Sequence, residues 1–467
     1  MTNGCFGVGD IDRTQPEKVR KCIFFQEPCA DLTEARGDDF IPYTERTPAE
    51  YYFRSTVIDV PATSGLSFVG EQGKNDLIVW SIERDFLFAY RAYPWYENTR
   101  DANDAVADGY TRPDTGAYEG SPIAAFRIIS HFDVQRQYNP RTGEQTNLIV
   151  ENMMDRVWYE RDYIRVDWAN NLISDFQFGA AAVKQAPVGM YIQAGGDVPE
   201  TNNDSAKITR DYIDIVQRMT AQPELNQLYT SYFGFPILEC WLYSSIMNDC
   251  NGVNLKVRHS FMRREPSNYQ PLEYDDMRFL KFGYFRTERY TYDPDYGAVD
   301  YAASRLANRW NIWGDNKDCH DPEAELPYAT CDKNKLKPIV YYLNADFPME
   351  YLEFVQSNAE EWNTVFKEAV AAGSGWDSDD IMDMFVICEN NPVQAGDPAV
   401  CGEEGLSPQI GDLRYSMYFF VPNEQSSSPL GYGPSADDPL TGELVQGNAF
   451  YYGAPGRWIA RRTMDIF

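Results

Sequence analysis

The chain has 467 residues, too many for one ordinary hydrophobic core, and a usual domain size of roughly 100–200 residues suggests two to four units. Hydrophobic residues at 43% and aromatics at 15% supply enough apolar surface for sizeable cores and argue against general disorder. A net charge of −30, from 71 Asp+Glu against 41 Lys+Arg, repels phosphate backbones and excludes nucleic acid as a partner.

Residues 1–48 are polar and broken by Gly and Pro, and they read as a tether and cap. The first twenty residues lack the apolar core of a secretory signal, and no stretch reaches the length of a membrane span. Asn3-Gly4-Cys5 places a small residue before a cysteine, as at the processing site of a bacterial lipoprotein. Cys5 is therefore a candidate lipid anchor, with Met1 marking a fragment start that has lost its signal; a free surface thiol is the alternative.

From Tyr51 onward, runs such as YYFRSTVIDVP, DLIVWSIERDFLFAYRAYP and AAFRIISHFDV are rich in β-branched and aromatic residues and are separated by turn-formers. They predict an antiparallel β domain over 50–150, although the alternation in FRSTVIDV is imperfect. The linker-like Asn139–Asn147 follows, and residues 151–335 form a second β-rich region. Within it Tyr212, Ile215, Val216 and Met219 suggest a helix over part of 207–232, whereas LKVRHSFMRR and FLKFGYFRTERYTYDP alternate like strands.

Composition changes again near Lys337, opening a unit over 336–467. PIVYYLNADFP reads as a buried strand. Pro348 then opens a helix whose apolar positions, Leu352, Val355, Ala359, Trp362, Phe366 and Ala369, recur at three- and four-residue steps until Gly373 ends it. DIMDMFVICE, RYSMYFFV and a hairpin over Leu430–Ala454 complete the order strand, helix, strand, strand, hairpin. The predicted class is α+β, an antiparallel β-rich region followed by an α/β half domain.

Setting Cys5 aside, the other eight of the nine cysteines fall into close neighbours: Cys22/Cys29, Cys240/Cys250, Cys319/Cys331 and Cys388/Cys401. These spacings suit local loop-closing disulfides and an oxidising compartment, and they lack the CxxC pairs of zinc knuckles. The three histidines, His131, His259 and His320, build no HExxH, and no GxSxG elbow, phosphate loop or Rossmann fingerprint is present. His131 and His259 lie in strand-like runs as structural histidines, and His320 sits in an Asp-rich loop.

The runs PIVYYLNADFPMEYLEFVQSNAEEWNTVFKEAV, DLRYSMYFF and GYGPSADDPLTGELVQGNAFYY resemble, in that order, the first part of the catalytic domain of large bacterial zincin-type, metzincin-like zinc metalloproteases. The matching residues are Trp362-Asn363 on the helix, Arg414, Tyr415 and Ser416 on a strand, and Gly433-Pro434-Ser435 with Asp438-Pro439-Leu440-Thr441-Gly442-Glu443 in the hairpin. Looser phrases over 50–330, such as TVIDVP and FGYFRTERY, resemble the β-rich region that precedes that domain.

The resemblance implies a zincin-like fold over 336–467, peptide-bond hydrolysis in the intact family, and zinc held by an HExxH helix C-terminal to the hairpin. No catalytic or zinc-binding residue carries over, so the expectation is the N-terminal part of a secreted or lipid-anchored bacterial metalloendopeptidase, inactive by itself and without a cofactor. The resemblance also implies that the hairpin, with Gly433, Pro434, Ser435, Asp438, Gly442 and Glu443, forms the rim along which an extended protein or peptide substrate pairs. An interior hairpin is the other reading of the same residues. The alternative function is a non-catalytic surface lipoprotein or β-rich protein-binding module.

Overall fold

The computed structural model describes residues 10–466 apart from 16–17, 30–40, 63, 65, 93–94, 97–106, 109, 112–117, 120–121, 174–182, 192–205, 224, 226, 239–251, 294–296, 317–318, 424 and 426–427. The chain is mixed α+β and strand-rich, with a large curled sheet and few helices.

Twelve strands form the large sheet: β1 (Ile11–Asp12), β2 (Val19–Arg20), β3 (Glu50–Asp59), β4 (Asp76–Ile82), β5 (Phe86–Arg91), β6 (Ala124–Tyr138), β7 (Gln145–Asn152), β8 (Tyr163–Asn171), β9 (Val183–Tyr191), β10 (Lys207–Ile208), β11 (Tyr212–Pro223) and β12 (Val253–Arg263). The order is β1-β7-β6-β5-β4-β3-β12-β11-β9, with β8 beside β6 and β2, and β10 beside β11. Only β1 with β7 is parallel.

The sheet crosses the boundary expected at residue 150, because β3 pairs with β12 over Tyr51–Asp59. The stretch 139–147 is a hairpin turn between β6 and β7 instead of a linker: Asn139 O accepts from Gly143 N, and Gly143 adopts φ 73°. The helix expected within 207–232 is also corrected. Tyr212–Pro223 is strand β11, since its β-branched Ile213, Ile215, Val216 and Thr220 gain a ten-residue ladder with β12. A short helix α1 (Gln227–Phe233) follows. FLKF lies in a second short helix, α2 (Asp276–Phe282), capped by Asp275, and strand β13 (Arg286–Asp293) begins only after it, pairing with β14 (Gly297–Ala307).

The inside of the curl is aromatic. Trp80 lies 4.9 Å from Phe261 and meets Trp168 edge-on, while Phe24 and Phe126 close around it. The same strand β3 is buried on its other side, where Tyr52, Arg54 and Thr56 face the C-terminal part of the chain.

That part contains a five-stranded sheet of β15 (Ile339–Leu343), β16 (Phe385–Cys388), β17 (Ser416–Val421), β18 (Gly431–Tyr432) and, after a separate ribbon of β19 (Ser435–Asp437) and β20 (Leu444–Gly447), β21 (Ala449–Tyr452). The order is β16-β15-β17-β21-β18, and all neighbours are parallel except β18, which runs antiparallel to β21. Helix α3 (Leu352–Ser374) links β15 to β16 and packs on the sheet, and α4 (Gly453–Ile466) follows β21. Asn363 on α3 ties helix to sheet by accepting from Met384 N and Phe385 N (2.7 and 3.3 Å).

Gly373 does not end α3. Its α-carbon lies under the Tyr328 ring, where a Cβ would sit 3.0 Å away, and Gly375 at φ 78° makes the left-handed cap.

Cys22–Cys29, Cys319–Cys331 and Cys388–Cys401 are disulfides, with Cα separations of 5.2, 5.0 and 5.8 Å. Cys5, Cys240 and Cys250 lie outside the described residues. Three bridges of this kind point to an oxidising, extracytoplasmic environment. Among the described residues no helix is long and apolar enough to cross a membrane.

Candidate functional site

The hairpin turn at 438–443 is tightly built and turned inward. Asp438 accepts from Leu440 N (2.7 Å) and Thr441 N (3.1 Å), an Asx-type turn, and Asp438 O accepts from Gly442 N (2.8 Å). Its other carboxylate oxygen accepts from Tyr52 OH (2.7 Å) and Arg264 Nε (2.8 Å), and Arg264 also holds Glu50 at 2.8 Å. Burial followed by the Asp438 charge pushes the Tyr52 hydroxyl far up, so it stays a donor. Burial works against the charge of Arg264, but Asp438 and Tyr52 outweigh it. Gly442 has φ +75°, and a Cβ there would come within 2.8 Å of Ala307 O. Arg309 bridges Glu443, whose carboxylate accepts from Ser267 Oγ (2.6 Å). Asp438, at 1% exposed, and Gly442 therefore serve as a clasp onto the large sheet and β14, away from solvent.

Gly433, Pro434 and Ser435 precede this turn and behave differently. Ser435 pairs with Gly447 and Pro434 O accepts from Asn448 N, whereas Gly431 and Gly433 are exposed. Strand β18 is the outermost strand of its sheet. Tyr452 N donates to Leu430 O (3.2 Å) and Asn448 N to Pro434 O (2.9 Å), with Gly431 opposite Tyr451. Main-chain groups alternate across an antiparallel pair, so those of Gly431 and Gly433 turn to the free side. Gly431 and Gly433 carry no side chain on this short edge, and Tyr432 between them packs on Phe68 and Phe450.

Two cavities flank the five-stranded sheet. A bay of about 240 Å³ between α3 and the sheet is lined by Trp310, Tyr341, Trp362, Phe385, Tyr418 and Ala449, and it is almost wholly apolar. Trp362 is 48% exposed at its mouth, and burial pushes the Tyr341 hydroxyl up to about 12. A larger cleft of about 520 Å³ lies where the two sheets meet, between Arg263, Lys337, Tyr342, Arg414 and Glu443. Arg414 is already occupied, forked onto Asp412 (2.7 and 3.0 Å) and stacked on Tyr212 at 3.8 Å. Ser416 caps the same region by accepting from Gly447 N.

The histidines remain apart. His131 on β6 faces Arg84 O (2.8 Å) and packs on Trp158, and burial with the nearby Lys21 charge lowers it to about 4. His259 on β12 meets Ser55 Oγ through Nδ1 (2.8 Å), and burial lowers it to about 3. Both members of this Ser–His pair are in the core, at 5% and 1% exposure, so it is not a hydrolytic dyad open to substrate. His320 stacks on Tyr328. Among the described residues no group of three or more His, Cys, Asp or Glu converges as a metal site. The buried Asp214, Asp412 and Asp438 are each bound to an arginine, which leaves none of them free as a general base.

Sequence patterns did not single out Tyr52, Arg264, Arg258 or Trp310. Arg54 entered only as part of the imperfect alternation of FRSTVIDV. No family model, no curated protein and no solved structure matches the chain.

Proposed function

We propose that this chain is the peptide-holding part of an exported or lipid-anchored metalloendopeptidase of the zincin type, with the metal and its ligands supplied outside the described residues. The observation that carries the reading is β18: a single antiparallel strand at the edge of an otherwise parallel sheet, with the main-chain groups of Gly431 and Gly433 turned to solvent. An extended peptide pairing there gains backbone hydrogen bonds and is held straight, the geometry in which a scissile bond is presented to a hydrolytic centre. The order of β15, α3, β16, β17 and the hairpin supports the same reading.

The test is fluorescence anisotropy of labelled extended octapeptides against the full chain and Gly431→Pro. Proline removes one outward N–H and leaves the ladder to β21 intact, so affinity should fall about tenfold. Equal binding by both proteins, or none by either, removes the support. A second reading, a non-catalytic protein-binding module, draws on the apolar bay at Trp362, which suits a bulky apolar side chain of a partner.

A further inference from the structure

Among the described residues the arginines buried as whole residues are Arg54, Arg165 and Arg258. Arg165 is paired with Glu151 at 2.6 Å, and Arg258 with Asp214 at 2.9 Å. Arg54 has no carboxylate within ion-pair distance. Its Nε donates to Gly73 O (3.0 Å), while Nη1 is buried with no hydrogen-bond acceptor among the described residues. Asp437 acts on it only at longer range, since that carboxylate is taken by Thr287 Oγ1 and its carbonyl by Asn75 Nδ2. A buried guanidinium without a counter-charge carries a desolvation cost of several kcal/mol, and it cannot discharge by losing its proton near neutral pH.

The neighbouring atoms share this condition. Thr56 Oγ1, both amide atoms of Gln72 and Asn75 Oδ1 are buried and have no hydrogen-bond partner among the described residues. Topology puts the first three with Arg54. Arg54 and Thr56 are two residues apart on β3 and project to one face, and Thr56 forms an antiparallel bridge with Gln72, whose side chain points the same way. The C-terminal part covers that face: Gly411 lies so close that a Cβ there would come 2.8 Å from Thr56 Cβ, and Tyr432 is an electrostatic neighbour of Arg54.

We propose that Arg54 Nη1, Thr56 Oγ1 and Gln72 Nε2 together hold one halide-sized monovalent anion, buried between the large sheet and the segments around Gly411 and Tyr432. Three N–H or O–H donors and one positive charge match one negative charge. The remaining acceptor, Gln72 Oε1, takes a water donor beside it. The anion neutralises the seam along which the C-terminal part docks, so its binding is linked to folding. This inference does not depend on the peptide-holding function.

The test is thermal unfolding of the full chain in sodium bromide and in sodium gluconate at equal ionic strength, with anomalous diffraction from crystals grown in bromide. The midpoint should rise in bromide by about 1–2 °C per decade of concentration above the dissociation constant. A bromide peak should touch Arg54 Nη1. Arg54→Met should abolish the bromide response; if that variant does not fold, Thr56→Val keeps the charge and should weaken the response at least about threefold by losing one donor. Equal midpoints in the two salts, a response unchanged in Thr56→Val, or water alone beside Arg54 in the bromide map would each overturn the proposal.

Discussion

The inner and outer faces of β3, β12 and β11 are both buried, yet they are made of opposite chemistry. Inward stand Phe53, Val57, Val257, Phe261, Ile213 and Ile215; outward, against the C-terminal part, stand Tyr52, Arg54, Thr56, Arg258, Ser260 and Asp214. The inner face stabilises mainly by area removed from water, with Ser55–His259 as a buried polar pair within it. The outer face works through fixed partners: Arg258 Nη1 donates to Ile410 O (2.6 Å), Ser260 Oγ accepts from Leu413 N (3.1 Å), and Tyr52 reaches Asp438. One face makes the sheet collapse, and the other chooses which segment docks on it and in what register.

The sharpest way to break this contrast is Arg258→Met. Removing one member of a buried pair leaves Asp214 without its cation, and the expected loss is about 3–5 kcal/mol by denaturant unfolding. Val257→Ala, its inner-face neighbour, should cost about 1–3 kcal/mol through lost contact alone. The double variant Arg258→Met with Asp214→Leu should recover much of the loss, because no orphan charge remains. Were the double variant as unstable as the single, the outer face would owe its stability to shape and not to charge pairing.

Asp438→Ala comes next, at about 2–4 kcal/mol, since it strips acceptors from Tyr52 and Arg264 and from two turn amides at once. Tyr52→Phe, which removes one of these bonds, should cost about 1 kcal/mol. A near-neutral Asp438→Ala would show that the turn is seated by the steric fit of Gly442 against Ala307 alone.

This contrast also explains what the sequence made legible. The helix α3 was readable because its period and its apolar stripe are local, and three of the cysteine pairs because each closes a short loop. The turn chemistry of Asp438 to Gly442 was readable for the same reason. Its burial was not, because Tyr52 lies 386 residues away and Arg264 lies 174 away. The imperfect alternation of β3 was the one trace of the outer face: a strand buried on both sides, with one polar side, cannot show a clean period of two. At Tyr212–Pro223 the same double burial produced apolar residues at helical spacing, and the ladder to β12 decided the matter.

Acid offers a way to probe the inner face separately. His259 is held neutral by burial, with its folded value near 3 against an ordinary 6.5. The unfolded chain therefore takes up its proton first as pH falls. The stability His259 contributes is complete above pH 6.5 and is lost between pH 6.5 and about 3, at roughly 1.4 kcal/mol per pH unit. His131, lowered to about 4, adds to the decline in the same direction. Urea midpoints measured from pH 5 to 7, above the main carboxylate range, should fall with acid in the wild-type chain and fall less steeply in His259→Asn. Parallel curves would mean that His259 gains its proton in the folded state, and hence that the inner face is wet.

The smallest expected effect on stability concerns the face of the five-stranded sheet that α3 leaves half covered. Trp362 touches Phe366 and Phe385 at centroid distances of 5.9 and 6.4 Å but keeps nearly half its surface in solvent. Trp362→Ala should therefore cost only about 1 kcal/mol, well below a buried tryptophan, because much of the ring was never removed from water. If the bay receives an apolar side chain of a partner, the same substitution should weaken capture of a tryptophan- or leucine-bearing peptide by much more than it weakens the fold, and should leave the β18 edge response to Gly431→Pro unchanged. A loss of several kcal/mol in stability would instead make Trp362 part of the core, and the bay a packing flaw beside it.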